Sequence, residues 1–83
     1  MSDLNIEIIS KTQVIFNNKG NLAIVPAIDG EIGFMNGHEL VVSNLKAGEI
    51  KVFDKDEKLL ISVEIKGGFA EMTTENKLII LVD

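Results

Sequence analysis

The sequence predicts an all-β fold, a two-sheet antiparallel β-sandwich of about nine or ten short strands. Two observations carry that reading. Apolar residues alternate with polar ones at a period of two along most of the chain. Clusters of Asn, Asp, Gly and Lys break this alternation at short intervals, the spacing of strands joined by tight turns rather than of β-α-β units.

Taken in order, Leu4, Ile6 and Ile8 oppose Asn5 and Glu7, and Val14 and Phe16 oppose Gln13 and Asn17. Leu22, Ile24 and Pro26 form the next inward set, then Ile50 and Val52 against Glu49 and Lys51. Leu59, Ile61, Val63 and Ile65 make the longest alternation, facing away from Ser62, Glu64 and Lys66. Ala70 and Met72 follow, and Leu78, Ile80 and Val82 complete the pattern. From these, Ile6, Ile24, Ile61, Val63 and Ile80 are expected in the core. Turns are expected at 17–21 ("NNKGN"), 29–30 ("DG"), 36–37 ("NG"), 47–48 ("AG"), 54–58 ("DKDEK") and 74–76 ("TEN"). The segment "HELVVSNLK" has apolar spacing that two turns of helix would also satisfy. Its β-branched Val41 and Val42 favour a strand and turn. Ile9, Ile15, Leu60, Ile79 and Leu81 fall out of phase with the core set, so they are either covered internally or form an exposed interaction patch.

Composition bounds the function. With 83 residues the chain is read as one domain, residues 1–83, and 46% apolar content is enough for a core of that size. Eight basic residues against a net charge of −5 argue against nucleic-acid binding through phosphates. Without cysteine there is neither a disulfide framework nor a thiolate metal site. The start "MSDLNIEIIS" lacks a basic segment followed by an apolar one, so no signal peptide is expected. Nor is direct membrane insertion, since the longest apolar run is Leu78 to Val82.

No chemical motif outweighs its bland reading. His38 is the only imidazole, so zinc or triad chemistry would lack partners, and a turn or interface histidine is the better reading. Asp54, Asp56 and Glu57 fit a solvated hairpin tip better than a calcium loop. "KGGF" at 66–69 has no helix to follow it, as a phosphate cradle needs, and reads as a bulge or a close backbone approach. Glu31 has no second carboxylate placed beside it for acid–base work. No catalytic residue, cofactor or metal is expected. The residues alone support a small β-domain that binds something. An enzyme would need a second ionisable group converging on His38, and a free-standing ligand-binding sandwich would need a deep apolar pocket.

Order and spacing of short motifs supply more. Gly30-Glu31-Ile32-Gly33, then Asn36-Gly37-His38, then Ser43 and Lys46-Ala47-Gly48 stand in the order seen in the epsilon subunit of the rotary ATP synthase. The opening "LNIEIISKTQVIFNN" resembles that family's first hairpin, and "IKGGFAEMTTENKLIILVD" its last strands. The chain departs from the family where prolines are usual. Asn36 and Ala47 each replace one, and Glu39-Leu40 stands for an alanine–proline pair, so these turns lose proline's fixed φ.

The resemblance implies a non-catalytic rotor-stalk subunit. It would be peripheral, on the cytoplasmic side of a bacterial inner membrane, with the gamma subunit and the ring of c subunits as partners. By that likeness Gly30, Glu31, Ile32 and Gly33 form a contact turn for the ring, with His38 and Ser43 also at partner contacts. The family usually continues into a C-terminal helical hairpin. Since the sequence ends at Asp83, neither hairpin inhibition nor ATP binding is expected.

Overall fold

A computed structural model describes residues 3–37 and 39–83; among them are nine strands and no helix. The strands are β1 (Leu4–Ile9), β2 (Val14–Gly20), β3 (Leu22–Ala27), β4 (Gly30–Phe34), β5 (Val42–Leu45), β6 (Gly48–Phe53), β7 (Leu59–Ile65), β8 (Gly68–Thr74) and β9 (Lys77–Val82). They pair in the order β2-β1-β9-β8-β5-β3-β6-β7, with β4 added alongside β3. A single pair, Ala27 with Leu45, links β3 to β5. At that narrow joint the sheet folds over, placing β2-β1-β9-β8-β5 in one layer and β4-β3-β6-β7 in the other. The expected sandwich therefore forms, but from one continuous sheet. One pairing is parallel: β1 runs alongside β9, from Asn5 opposite Lys77 to Ile9 opposite Leu81.

The core is filled from both layers by apolar side chains alone. No polar or charged side chain is fully buried among the described residues. Ile6 and Ile80 are buried as expected. Ile24, Ile61 and Val63 are only half-buried. Ile61 and Val63 lie on β7, an edge strand with a neighbour on one side only. On β3 the phase is the reverse of the expected one: Ala23, Val25 and Ala27 point inward, while Leu22 and Ile24 point out. "LAIVPA" is apolar on both faces, so alternation could not choose. Packing chose, because Phe34 of β4 lies opposite Ala23 and fills the space that the small side chain leaves.

Bulges account for two further corrections. Between Ile8 and Ile9 the β1–β2 register slips past Ile15, so Phe16 faces the core with Ile8 while Val14 faces out with Ile9. On β7 the slip passes Leu60, which turns Leu59 outward opposite Phe53, leaving it 52% exposed. A third slip, at Thr73, lies in β8. The expected turn at 17–21 is mostly strand: Asn17–Gly20 pair with β1, and the chain turns at 10–13 instead, where the Ser10 amide donates to the Gln13 carbonyl. The segment favoured as strand and turn is confirmed by β5, preceded by an irregular stretch. The paired glycines mark a close approach. Gly68 has φ of 146°, and a Cβ there would collide with the Leu81 carbonyl oxygen.

Candidate functional site

Gly30-Glu31-Ile32-Gly33 is strand rather than turn. It opens β4 after the two-residue turn Ile28-Asp29. Gly30, at φ 132°, takes the conformation that closes this hairpin. Because strand neighbours face opposite ways, the motif is divided. Ile32 lies opposite buried Val25 and packs against the core, whereas Glu31 lies opposite Pro26 and is exposed on the other face with Gly33. Ser43, on β5, pairs with buried Ala70 and is half-buried.

Ile32 and Ser43 do meet. Together with Ile28, Asp29, Val42 and Asn44 they line a hollow of about 300 Å³ where the β3–β4 hairpin leans over β5. Two backbone bonds secure that corner: the Ile28 amide donates to the Asn44 carbonyl at 3.0 Å, and the Lys46 amide to the Pro26 carbonyl at 2.9 Å. Asn36-Gly37 turns at the opposite end of β4. There the Gly37 amide donates to the Glu75 carbonyl at 2.6 Å, and the Asn36 side chain to the Asp3 carbonyl at 2.7 Å. Residues 30–37 thus run the length of the domain and do not form a single loop. His38, also expected at the contact, lies outside the described residues.

A second feature was only half legible. Across the outer face of the first layer, Val14, Ile9, Leu81 and Phe69 stand side by side on four adjacent strands. Val14 is 56% exposed, and Leu81 and Phe69 each 37%. Ile79 and Val42 continue the strip one row on, flanking Glu71. Ile9, Ile79 and Leu81 were visible as out-of-phase residues, but Val14 needed the bulge and Phe69 the pairing. Of the other two out-of-phase residues, Ile15 packs against the core and Leu60 is exposed. Met35, Leu40 and Val41 are exposed nearby in sequence.

Reactive chemistry is sparse. Among the described residues no group of three or more metal-ligating side chains converges. Asp54 has a carboxyl held below the ordinary aspartate range. The main cause is the hydrogen bond donated by the Lys58 amide, and the Asp56 amide adds to it. That is the chemistry of a hairpin tip. No helix of the described residues is long and apolar enough to cross a membrane.

An exposed apolar strip and a hydrogen-bonded corner are the main surface features of this small β-sandwich. The chain belongs to the family of the ATP synthase delta/epsilon chain β-sandwich domain, whose model matches residues 3–83. It is 34% identical over 83 residues to the ATP synthase epsilon chain of Caldicellulosiruptor saccharolyticus and 36% identical to that of Campylobacter concisus. All of this chain is covered in both matches, but only 58% and 63% of those relatives, so it spans about three-fifths of their length. Among solved structures, a chain of the Euglena gracilis mitochondrial ATP synthase (OSCP/F1/c-ring) aligns with a TM-score of 0.87 at 22% identity, over 96% of this chain and 50% of that one. One from the Tetrahymena thermophila mitochondrial ATP synthase central stalk and c-ring aligns at 0.79 and 14% identity, over 95% and 62%. At those identities the likeness shows the fold.

Proposed function

We propose that this chain is a non-catalytic central-stalk subunit of a bacterial, proton-translocating F-type ATP synthase. It links the gamma subunit to the c-ring so that ion flow turns the shaft, and it sits peripherally on the cytoplasmic side of the inner membrane. The observation that carries this reading is the family match over residues 3–83; the contact surfaces support it. The strip of Val14, Ile9, Leu81 and Phe69 is assigned to gamma, since apolar rows exposed on a sheet face are the usual core of a protein interface. The β3–β4 hairpin, with Ile28, Asp29, Ile32 and Ser43 at the hollow and Glu31 exposed on its other face, is assigned to the ring loops. Its acids suit cationic and amide groups there, and its backbone is pinned by the bonds to Asn44 and Lys46. A sandwich with a wholly apolar core is stiff enough to carry torque.

The test is reconstitution with gamma and the c-ring. Leu81→Asp is expected to abolish co-purification with gamma. Glu31→Lys is expected to leave the gamma contact intact and to weaken ring docking, because reversing the charge turns attraction into repulsion. Both variants should stay folded, as both residues are exposed. Equal gamma binding and equal coupled pumping by wild type and both variants would overturn the assignment.

A further inference from the structure

We infer that Asn36 is a site of spontaneous covalent modification, deamidation through a succinimide, and that a hydrogen-bonded clasp at one end of the sandwich controls it. Asn36 is the asparagine that glycine follows; the others precede residues with side chains. The reaction joins the Gly37 backbone nitrogen to the Asn36 side-chain carbon. Glycine has no Cβ to shield that nitrogen or to restrict the approach. Asn36 is half-buried and Gly37 is exposed, with φ of 88° and open space where a Cβ would stand, so water reaches the pair.

The step balances with water as its one co-reactant. The Gly37 nitrogen gives up its proton and attacks Asn36 Cγ. The Cγ–Nδ2 bond breaks, the departing nitrogen takes up a proton and leaves as ammonia, and a five-membered imide closes. Water then opens the ring at either carbonyl. The product is aspartate or isoaspartate, with one additional negative charge.

The fold holds both reacting groups back. The Gly37 amide donates to the Glu75 carbonyl at 2.6 Å, which favours the protonated nitrogen over the nucleophile. The Asn36 side-chain amide donates to the Asp3 carbonyl at 2.7 Å, which fixes the leaving nitrogen beside the start of β1. The Asn5 amide, donating to the Asn76 carbonyl at 2.9 Å, ties β1 to the β8–β9 turn and completes the clasp. Because these bonds lie at the surface, opening them costs far less than global unfolding. The product cannot restore them. A carboxylate has no hydrogen to donate to the Asp3 carbonyl. In isoaspartate an added backbone methylene also shifts Gly37 away from Glu75. Deamidation is therefore a one-way change that unlatches this end of the domain.

The test uses the 83-residue chain. It is incubated folded at mildly alkaline pH and, in parallel, in guanidinium chloride above its unfolding transition. Peptide mapping by mass spectrometry follows the gain in mass as an amino group gives way to a hydroxyl. That gain separates Asn36 from Asp29-Gly30, whose isomerisation leaves the mass unchanged. Asn36 should be the first asparagine converted in both samples, and the unfolded chain should react at least about tenfold faster. Denaturant below the transition should raise the folded chain's rate only weakly, because a local opening exposes little surface. Asn36→Gln, whose longer side chain must close a less favourable six-membered ring, should lose the modification. Anion exchange isolates the aged chain by its extra charge. In that chain, and in Asn36→Asp, the Gly37 amide should exchange hydrogen at least about tenfold faster than in the unmodified protein, with circular dichroism showing the sheet retained. Earlier conversion at another asparagine, equal rates folded and unfolded, or a folded-state rate with the full denaturant dependence of global unfolding would overturn the inference. Unchanged Gly37 exchange in the aged chain would do the same. The inference does not rest on the rotor assignment, since none of these readouts involves gamma or the ring.

Discussion

Gly68 shows what one residue can decide. Its φ of 146° suits glycine, and any Cβ would meet the Leu81 backbone. Gly68→Ala must move β8 away from β9 or strain the strand. It should cost at least about 2 kcal/mol, a melting point lower by roughly 8 °C or more, read by calorimetry. Asp54 is the other informative residue. Its carboxylate accepts from the Lys58 amide at 2.9 Å and the Asp56 amide at 2.8 Å, which lowers its pKa on folding. A depressed carboxylate pKa stabilises the folded form above the unfolded-state value. That contribution disappears as pH falls through the folded value. The 54–58 tip should therefore loosen at the acid end of the carboxylate range, seen as faster exchange of the Asp56 and Lys58 amides. Asp54→Ala should show the same fast exchange already at neutral pH, with the domain still folded.

At the scale of elements, β7 separates simple alternation from the structure. A uniform period of two puts Leu59 inside with Ile61. The slip at Leu60 puts Leu59 outside and keeps Ile61 against the core. Leu59→Ser is therefore expected to change stability by about 0.5 kcal/mol or less, whereas Ile61→Ser should cost at least about 1 kcal/mol. Urea unfolding of the two variants checks this. Equal costs would restore the uniform alternation and remove the bulge. Ile15 on β2 marks the same device on the opposite edge strand. These two edge strands are thus twisted where an outside strand would otherwise add.

The whole molecule depends on its last strand. β9 lies between β1 and β8, parallel to one and antiparallel to the other, and contributes Leu78, Ile80 and Val82 to the core. Removing residues 77–83 would leave two strand edges open and empty the centre of the first layer. The shortened chain should show no cooperative thermal transition by circular dichroism. A cooperative melt near that of the full chain would show that β9 is dispensable. Because β1 and β9 come from opposite ends of the sequence, their pairing requires long-range closure, and folding should be slow for the size of the chain.

The sequence by itself determined that the chain is all-β, where many of its turns lie, and that Ile6 and Ile8 face the core, because strict alternation of polar and apolar residues has one low-energy reading. Family motifs were legible too, since turn residues stand at fixed offsets whatever surrounds them. Only the tertiary structure decided the phase of β3, where both faces are apolar and volume alone chooses. It also decided the facing of Val14 and Leu59, where one added residue reverses the side. The candidate surfaces belong to this second group. Ile32 and Ser43 meet, Glu31 faces the other side of β4, and Val14 joins Leu81 by way of Ile9, through cross-strand register. Register between distant strands is set by the packing of the folded core and leaves no local mark on the chain.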